Sequence, residues 1–132
     1  GLIEWVLQTY SDCLDIAMRA GENSYSQPVR MAIKRMEQQY TDPQLRAEDI
    51  AAAAALSLSR MQVIFKKETQ KTINEYLTDM RIKRAIQLLE NSTMKIYEIA
   101  EKVGYSSAQY FSTVLYQRTR KRPLDYRRAA SD

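Results

Sequence analysis

Ser59, Gln62, Val63 and Lys66 form one small set of residues, and Ala108, Gln109, Ser112, Thr113 and Tyr116 form another. On a helix, spacings of three and four bring side chains to a common face. The chemistry of both sets suits the edges of bases. A glutamine amide can meet adenine with a donor and an acceptor together, and serine or threonine can meet several bases. Val63 can touch a thymine methyl group. The plainer reading is that these are solvated polar positions on helices that pack elsewhere.

Other chemistries find little to work with. The chain has no histidine and one cysteine, Cys13, which rules out Cys/His zinc sites and Cys–His or Ser–His catalysis. The acidic residues are scattered along helical segments, and no glycine-rich loop could cradle a phosphate. Neither an enzyme nor a cofactor-binding protein is expected. A lone cysteine forms no intrachain disulfide, which fits a reducing cytoplasm. No apolar run approaches the roughly 20 residues of a membrane span, so no membrane partner is expected. The start at Gly1, without methionine, suggests a piece of a longer chain.

Charge points to a polyanion. Net charge is +4, but residues 1–45 carry −2 and residues 46–132 carry +6. Lys66, Lys67, Arg81, Lys83, Arg84, Arg118, Arg120, Lys121, Arg122, Arg127 and Arg128 make up much of that excess and could meet phosphates. Such contacts fix register and read no sequence. Arg81 or Arg84 can instead pair with acidic neighbours on their own helix. A helical interaction module for another protein, its basic face incidental, is the rival reading; RNA is a weaker one.

The elements that must hold these residues are helices. Only three glycines and three prolines interrupt long stretches of good helix formers, so the fold class is all-α. Residues 1–20 read as a connector helix, with Ile3, Val6, Tyr10, Cys13 and Ala17 on one stripe, and residues 21–27 as a linker. A helix from about 28 to 40 turns Val29, Ala32, Ile33, Met36 and Tyr40 to one side. A short helix from about 48 to 55 comes next, then one capped by Ser57 with Met61, Ile64 and Phe65 inward. "TINE" at 72–75 is a capping box that opens a bridging helix of about 20 residues, 72–91. Two more short helices lie within about 95–118, and a last one runs from Pro123 to about Ala130.

The chain also repeats itself. Ile50-Ala51 recurs 49 residues on as Ile99-Ala100. The offset then becomes 50: Ser57 and Ser107, Met61 and Phe111, Ile64 and Val114, Phe65 and Leu115, Thr69 and Thr119, Lys71 and Lys121, Tyr76 and Tyr126. One extra residue near Gly104 accounts for the shift. Each copy is a helix, a tight turn and a second helix, which is the helix-turn-helix pattern. The first unit spans about 47–68 and the second about 95–118.

Residues 28–128 resemble the DNA-binding domain of the AraC family of bacterial transcription regulators. The resemblance rests on "IYEIAEKVGYSSAQYFSTVL", on "FKKETQKTINEYLTDMRIKRAIQLL", and on Pro123 with Tyr126-Arg127. It implies a seven-helix domain over 28–130, with two helix-turn-helix units joined by a long helix. It implies double-stranded DNA as partner, RNA polymerase as a further one, and a missing N-terminal effector or signalling domain. Three departures stand out. Gln70 and Arg120 replace glycines that commonly follow each recognition helix. Arg46 and Lys95 replace Ser or Thr caps and could meet phosphates instead. Ala54 stands where a larger side chain is frequent.

Overall fold

The computed structural model describes residues 24–131. The connector helix expected over 1–20 lies outside them. Seven helices and no strand occur among the described residues: α1 (Gln27–Gln39), α2 (Ala47–Ala53), α3 (Leu58–Thr69), α4 (Ile73–Asn91), α5 (Ile96–Lys102), α6 (Ala108–Thr119) and α7 (Pro123–Ser131). None of the described helices is long and apolar enough to cross a membrane.

Pro28 sits in the first turn of α1, where its missing N–H costs nothing. Val29, Ala32, Ile33 and Met36 are buried on one face, and Tyr40, the residue closing the helix, is half-buried. That face packs on α2 and α3. Ile50, Ala51, Met61 and Phe65 complete this first core, together with Ile73, Tyr76 and Leu77 from the start of α4. Phe65 meets Tyr76 edge to face at 5.3 Å, the electrostatically preferred arrangement for two rings.

The second core is separate. It gathers Ile82, Ala85, Ile86, Leu88 and Leu89 from the rest of α4 with Ile99, Ala100, Val103, Phe111, Val114, Leu115 and Tyr126. No buried residue belongs to both cores. One 19-residue helix therefore spans two hydrophobic centres; at about 1.5 Å per residue it is roughly 28 Å long.

The two copies share their turn chemistry. Leu56 N–H donates to Ala51 O at 3.1 Å, and Tyr105 N–H to Ala100 O at 2.8 Å. The residue before each has positive φ, 57° at Ala55 and 102° at Gly104. The added residue of the second copy is Ser106, between this turn and the Ser107 cap. Ser57 and Ser107 cap α3 and α6 by accepting from Arg60 and Tyr110 backbone N–H. At the far ends, Thr69 Oγ1 donates to Phe65 O and Thr119 Oγ1 to Leu115 O, both at 2.8 Å. Each hydroxyl also accepts from a backbone N–H two residues on, at Lys71 or Lys121.

The departures at the helix ends resolve locally. Gln70 and Arg120 both take the left-handed conformation, with φ of 65° and 63°, and so close their helices as glycine would, at a steric cost. At Arg46 the side chain makes no cap; Asp49 reaches back and accepts from the Arg46 N–H at 3.1 Å. Lys95 supplies no cap either.

Candidate nucleic-acid interface

Burying Met61 and Phe65 on α3 leaves the opposite face in solvent. Ser59, Gln62, Val63 and Lys66 are all exposed, Val63 at 68%. Burying Phe111, Val114 and Leu115 does the same on α6, where Gln109, Thr113 and Tyr116 are exposed and Ser112 is half-buried. Ala108 departs from expectation: it is half-buried and packs against the second core. The Thr113 hydroxyl donates to Gln109 O at 3.1 Å, leaving its lone pairs to accept.

The offset of 50 residues pairs Ser59 with Gln109, Gln62 with Ser112, Val63 with Thr113 and Lys66 with Tyr116. The two glutamines are thus not equivalent. Gln109 is in the first turn of α6, whereas Gln62 is a turn further into α3. Two further residues, Arg60 and Tyr110, stand at equivalent positions of the two copies and were not among those expected. Both are exposed beside the first-turn positions, Tyr110 at 60%. Helix periodicity would have found them, since Arg60 lies three residues before Val63 and Tyr110 three before Thr113.

The basic residues divide. Arg46, Lys67, Lys95, Arg120 and Arg122 are exposed and Lys121 is half-buried. Lys95 Nζ lies 5.9 Å from the Tyr97 ring centre, within cation–π reach. Arg84 is half-buried and donates to Gln87 Oε1 at 3.2 Å, not to an acidic neighbour. Burial lowers the pKa of Lys83, also on α4.

Arg81 and Arg118, both expected to meet phosphates, have their guanidinium groups engaged inside the domain. Arg81 Nε donates to Tyr40 O at 2.8 Å and its Nη2 to Asp42 O at 2.9 Å, while the group lies 5.5 Å from the Tyr105 ring centre. Burial lowers its pKa, and the neighbouring Tyr105 and Asp42 oppose that shift. Arg118 is ion-paired with Asp79. Neither could be assigned from sequence, since their partners lie 39 to 41 residues away. Asp79 itself left a signal: it sits three residues from both Tyr76 and Ile82, on the buried stripe of α4. Arg127 is likewise structural, donating to Leu89 O, Ser92 O and Met94 O and so closing the C-terminal end of α4.

Paired helix-turn-helix units, each with a polar outer face on its second helix, define a double helix-turn-helix protein. A family model described as a helix-turn-helix domain matches residues 50–129. The Msm operon regulatory protein of Streptococcus mutans is 34% identical over 106 residues, which are 80% of this chain and 38% of that protein. Among solved structures, the C-terminal domain of the two-component response regulator YesN of Fusobacterium nucleatum superposes with a TM-score of 0.74. It is 30% identical, over 77% of this chain and 99% of that one. A transcriptional regulator of Chromobacterium violaceum, described as containing an AraC-type DNA-binding domain, gives 0.73 and 26% identity, over 80% of this chain and 93% of that one. The chain belongs to the AraC-type helix-turn-helix family. It spans well under half the length of the Streptococcus mutans relative.

Proposed function

We propose that this chain is the sequence-specific, double-stranded-DNA-binding part of an AraC-type transcription regulator, with α3 and α6 each entering a major groove. The observation that carries the reading is the duplicated outer face: exposed hydrogen-bonding residues at matching positions of two helices whose inner faces are buried. The length of α4, roughly 28 Å, is close to the ~34 Å between successive major-groove turns on one face of DNA. The regulatory and DNA-binding descriptions of the relatives support the same reading.

In this account Ser59, Arg60, Gln62, Val63 and Lys66 read one groove segment, and Gln109, Tyr110, Ser112, Thr113 and Tyr116 read the next. Arg46, Lys67, Lys95, Arg120, Lys121 and Arg122 bind phosphates and set register. The greater length of the Streptococcus mutans regulator supports a further effector or signalling domain in the whole protein. Regulation at a promoter makes RNA polymerase the machinery finally acted upon.

Selecting bound sites from random duplexes tests the reading. A single enriched sequence is expected, and Gln109→Ala is expected to weaken it by about 1–3 kcal/mol while leaving random DNA unchanged. Recovery of unrelated sequences, or equal loss on both DNAs, overturns the assignment.

A further inference from the structure

We infer that Asp79 is a positioning residue: its carboxylate ties the C-terminal ends of both recognition helices to the bridging helix and sets their relative orientation. The inference rests on the proposed reading of α3 and α6 for its consequence, though the geometry stands without it.

Residues 73–77 of α4 belong to the first core and residues 82–89 to the second. No shared apolar centre locks the units together, so their relation falls to what lies between. There stands Asp79, only 3% exposed and the one buried charged residue among those described. Its Oδ2 accepts from Lys71 Nζ at 2.6 Å, and its Oδ1 accepts from the Arg118 guanidinium. Lys71 lies two residues beyond the end of α3, and Arg118 is in the last turn of α6. A single side chain thus holds the exits of both helices.

Arg81, two residues on, completes the seam. It bonds the carbonyls of Tyr40 and Asp42, between α1 and the first unit, and faces the Tyr105 ring in the second. A Cβ added at Gly104 would collide with Tyr40 O and lie 2.8 Å from Arg81 Nε, so the turn of the second unit presses on the end of α1, which packs in the first core. Hydrogen bonds and ion pairs are directional where apolar contact is not, so this seam specifies an angle as well as a contact.

The repeat shows that the arrangement is particular to the second unit. The counterpart of Arg118 is Glu68, which accepts from Ser26 N–H and Ser26 Oγ, both at 2.7 Å. The first recognition helix is therefore fastened toward the chain's entry as well as to the bridge through Lys71. The second is fastened to the bridge.

Two measurements on the whole chain test this. In a Cys13→Ser background, spin labels at Gln38→Cys on α1 and Glu101→Cys on α5 report the distance between units without using DNA. One narrow distance distribution is expected for the parent, and a broadened or displaced one for Asp79→Asn; an unchanged distribution overturns the inference. Should Asp79→Asn not fold, Arg118→Gln, which leaves Lys71 on the carboxylate, takes its place in the same comparison. On DNA, Asp79→Asn is expected to lose roughly 10- to 100-fold in affinity for a two-half-site duplex. A single half-site is expected to change by less than about twofold, and altered spacing between half-sites to be tolerated better. Equal loss on both duplexes overturns the positioning role. A parent that binds no DNA sinks the proposed function and leaves the distance measurement decisive for the seam.

Discussion

Ala55 and Gly104 occupy the same place in the two copies, and exchanging their residue types should have opposite effects. Ala55 is exposed, has φ of 57°, and its N–H donates to Ala52 O at 3.0 Å. An L-residue in the left-handed region costs about 1–2 kcal/mol, which glycine does not. Glycine in turn loses about 0.5–1 kcal/mol more through the freedom of the unfolded chain. Ala55→Gly should therefore stabilise by about 0.5–1 kcal/mol net. Gly104→Ala faces both penalties at once: φ of 102° and a Cβ driven into Tyr40 O and the Arg81 guanidinium. Backbone strain of about 1–3 kcal/mol and a forced shift of about 1–3 kcal/mol sum to roughly 2–6 kcal/mol. Urea unfolding followed by circular dichroism resolves both, because ΔG falls by about 1–3 kcal/mol per molar urea. A rise in midpoint for Ala55→Gly with a large fall for Gly104→Ala is expected. Equal and small changes would refute the claim that the two turns share one left-handed geometry.

Other expectations follow from the same contacts. Phe111→Ala, at a fully buried position, should cost about 3–5 kcal/mol, read by thermal or urea unfolding. Arg127→Met removes three bonds to carbonyls at and just beyond the C-terminal end of α4 and should cost about 2–4 kcal/mol, with DNA affinity per folded molecule unchanged. Lys121→Ala should weaken all DNA alike and reduce the slope of log K against log salt by about one. Burial pushes the Tyr105 hydroxyl up to about 12, against the opposing pull of Arg81. Ionisation is thus easier in the unfolded chain, so the phenol's contribution is intact below pH 10 and is lost as pH rises through 10 to 12. Tyr105→Phe should flatten that alkaline decline, as measured by urea midpoints across the pH range.

Much of the fold could be read from residue spacing. Val29, Ala32, Ile33 and Met36 form the inner face of α1, and the offset of 50 residues anticipates the matched inner faces of α3 and α6. Periodicity carries that information because burial is averaged over whole helix faces. The outward polar positions are the complement of the same pattern, which is why most of the candidate site was legible. Individual partners were not. Arg118 was expected to meet a phosphate, and Arg81 a phosphate or an acidic neighbour on its own helix, whereas their actual partners depend on how distant segments meet. Ala108 looked outward but packs inward, since a position at the rim of a face is not decided by period alone. The left-handed turns at Ala55, Gln70 and Arg120 run against residue preference, so tertiary context overrode the local signal.

Sequence-specific binding of the proposed kind needs two helix faces on one duplex together. Chemical footprinting on a selected site, with guanine-N7 methylation interference read in parallel, tests that directly. Two interfering major-groove segments about 10–10.5 base pairs apart are expected, with Gln109→Ala erasing contacts in one segment only. A single segment, or interference insensitive to that substitution, would contradict it.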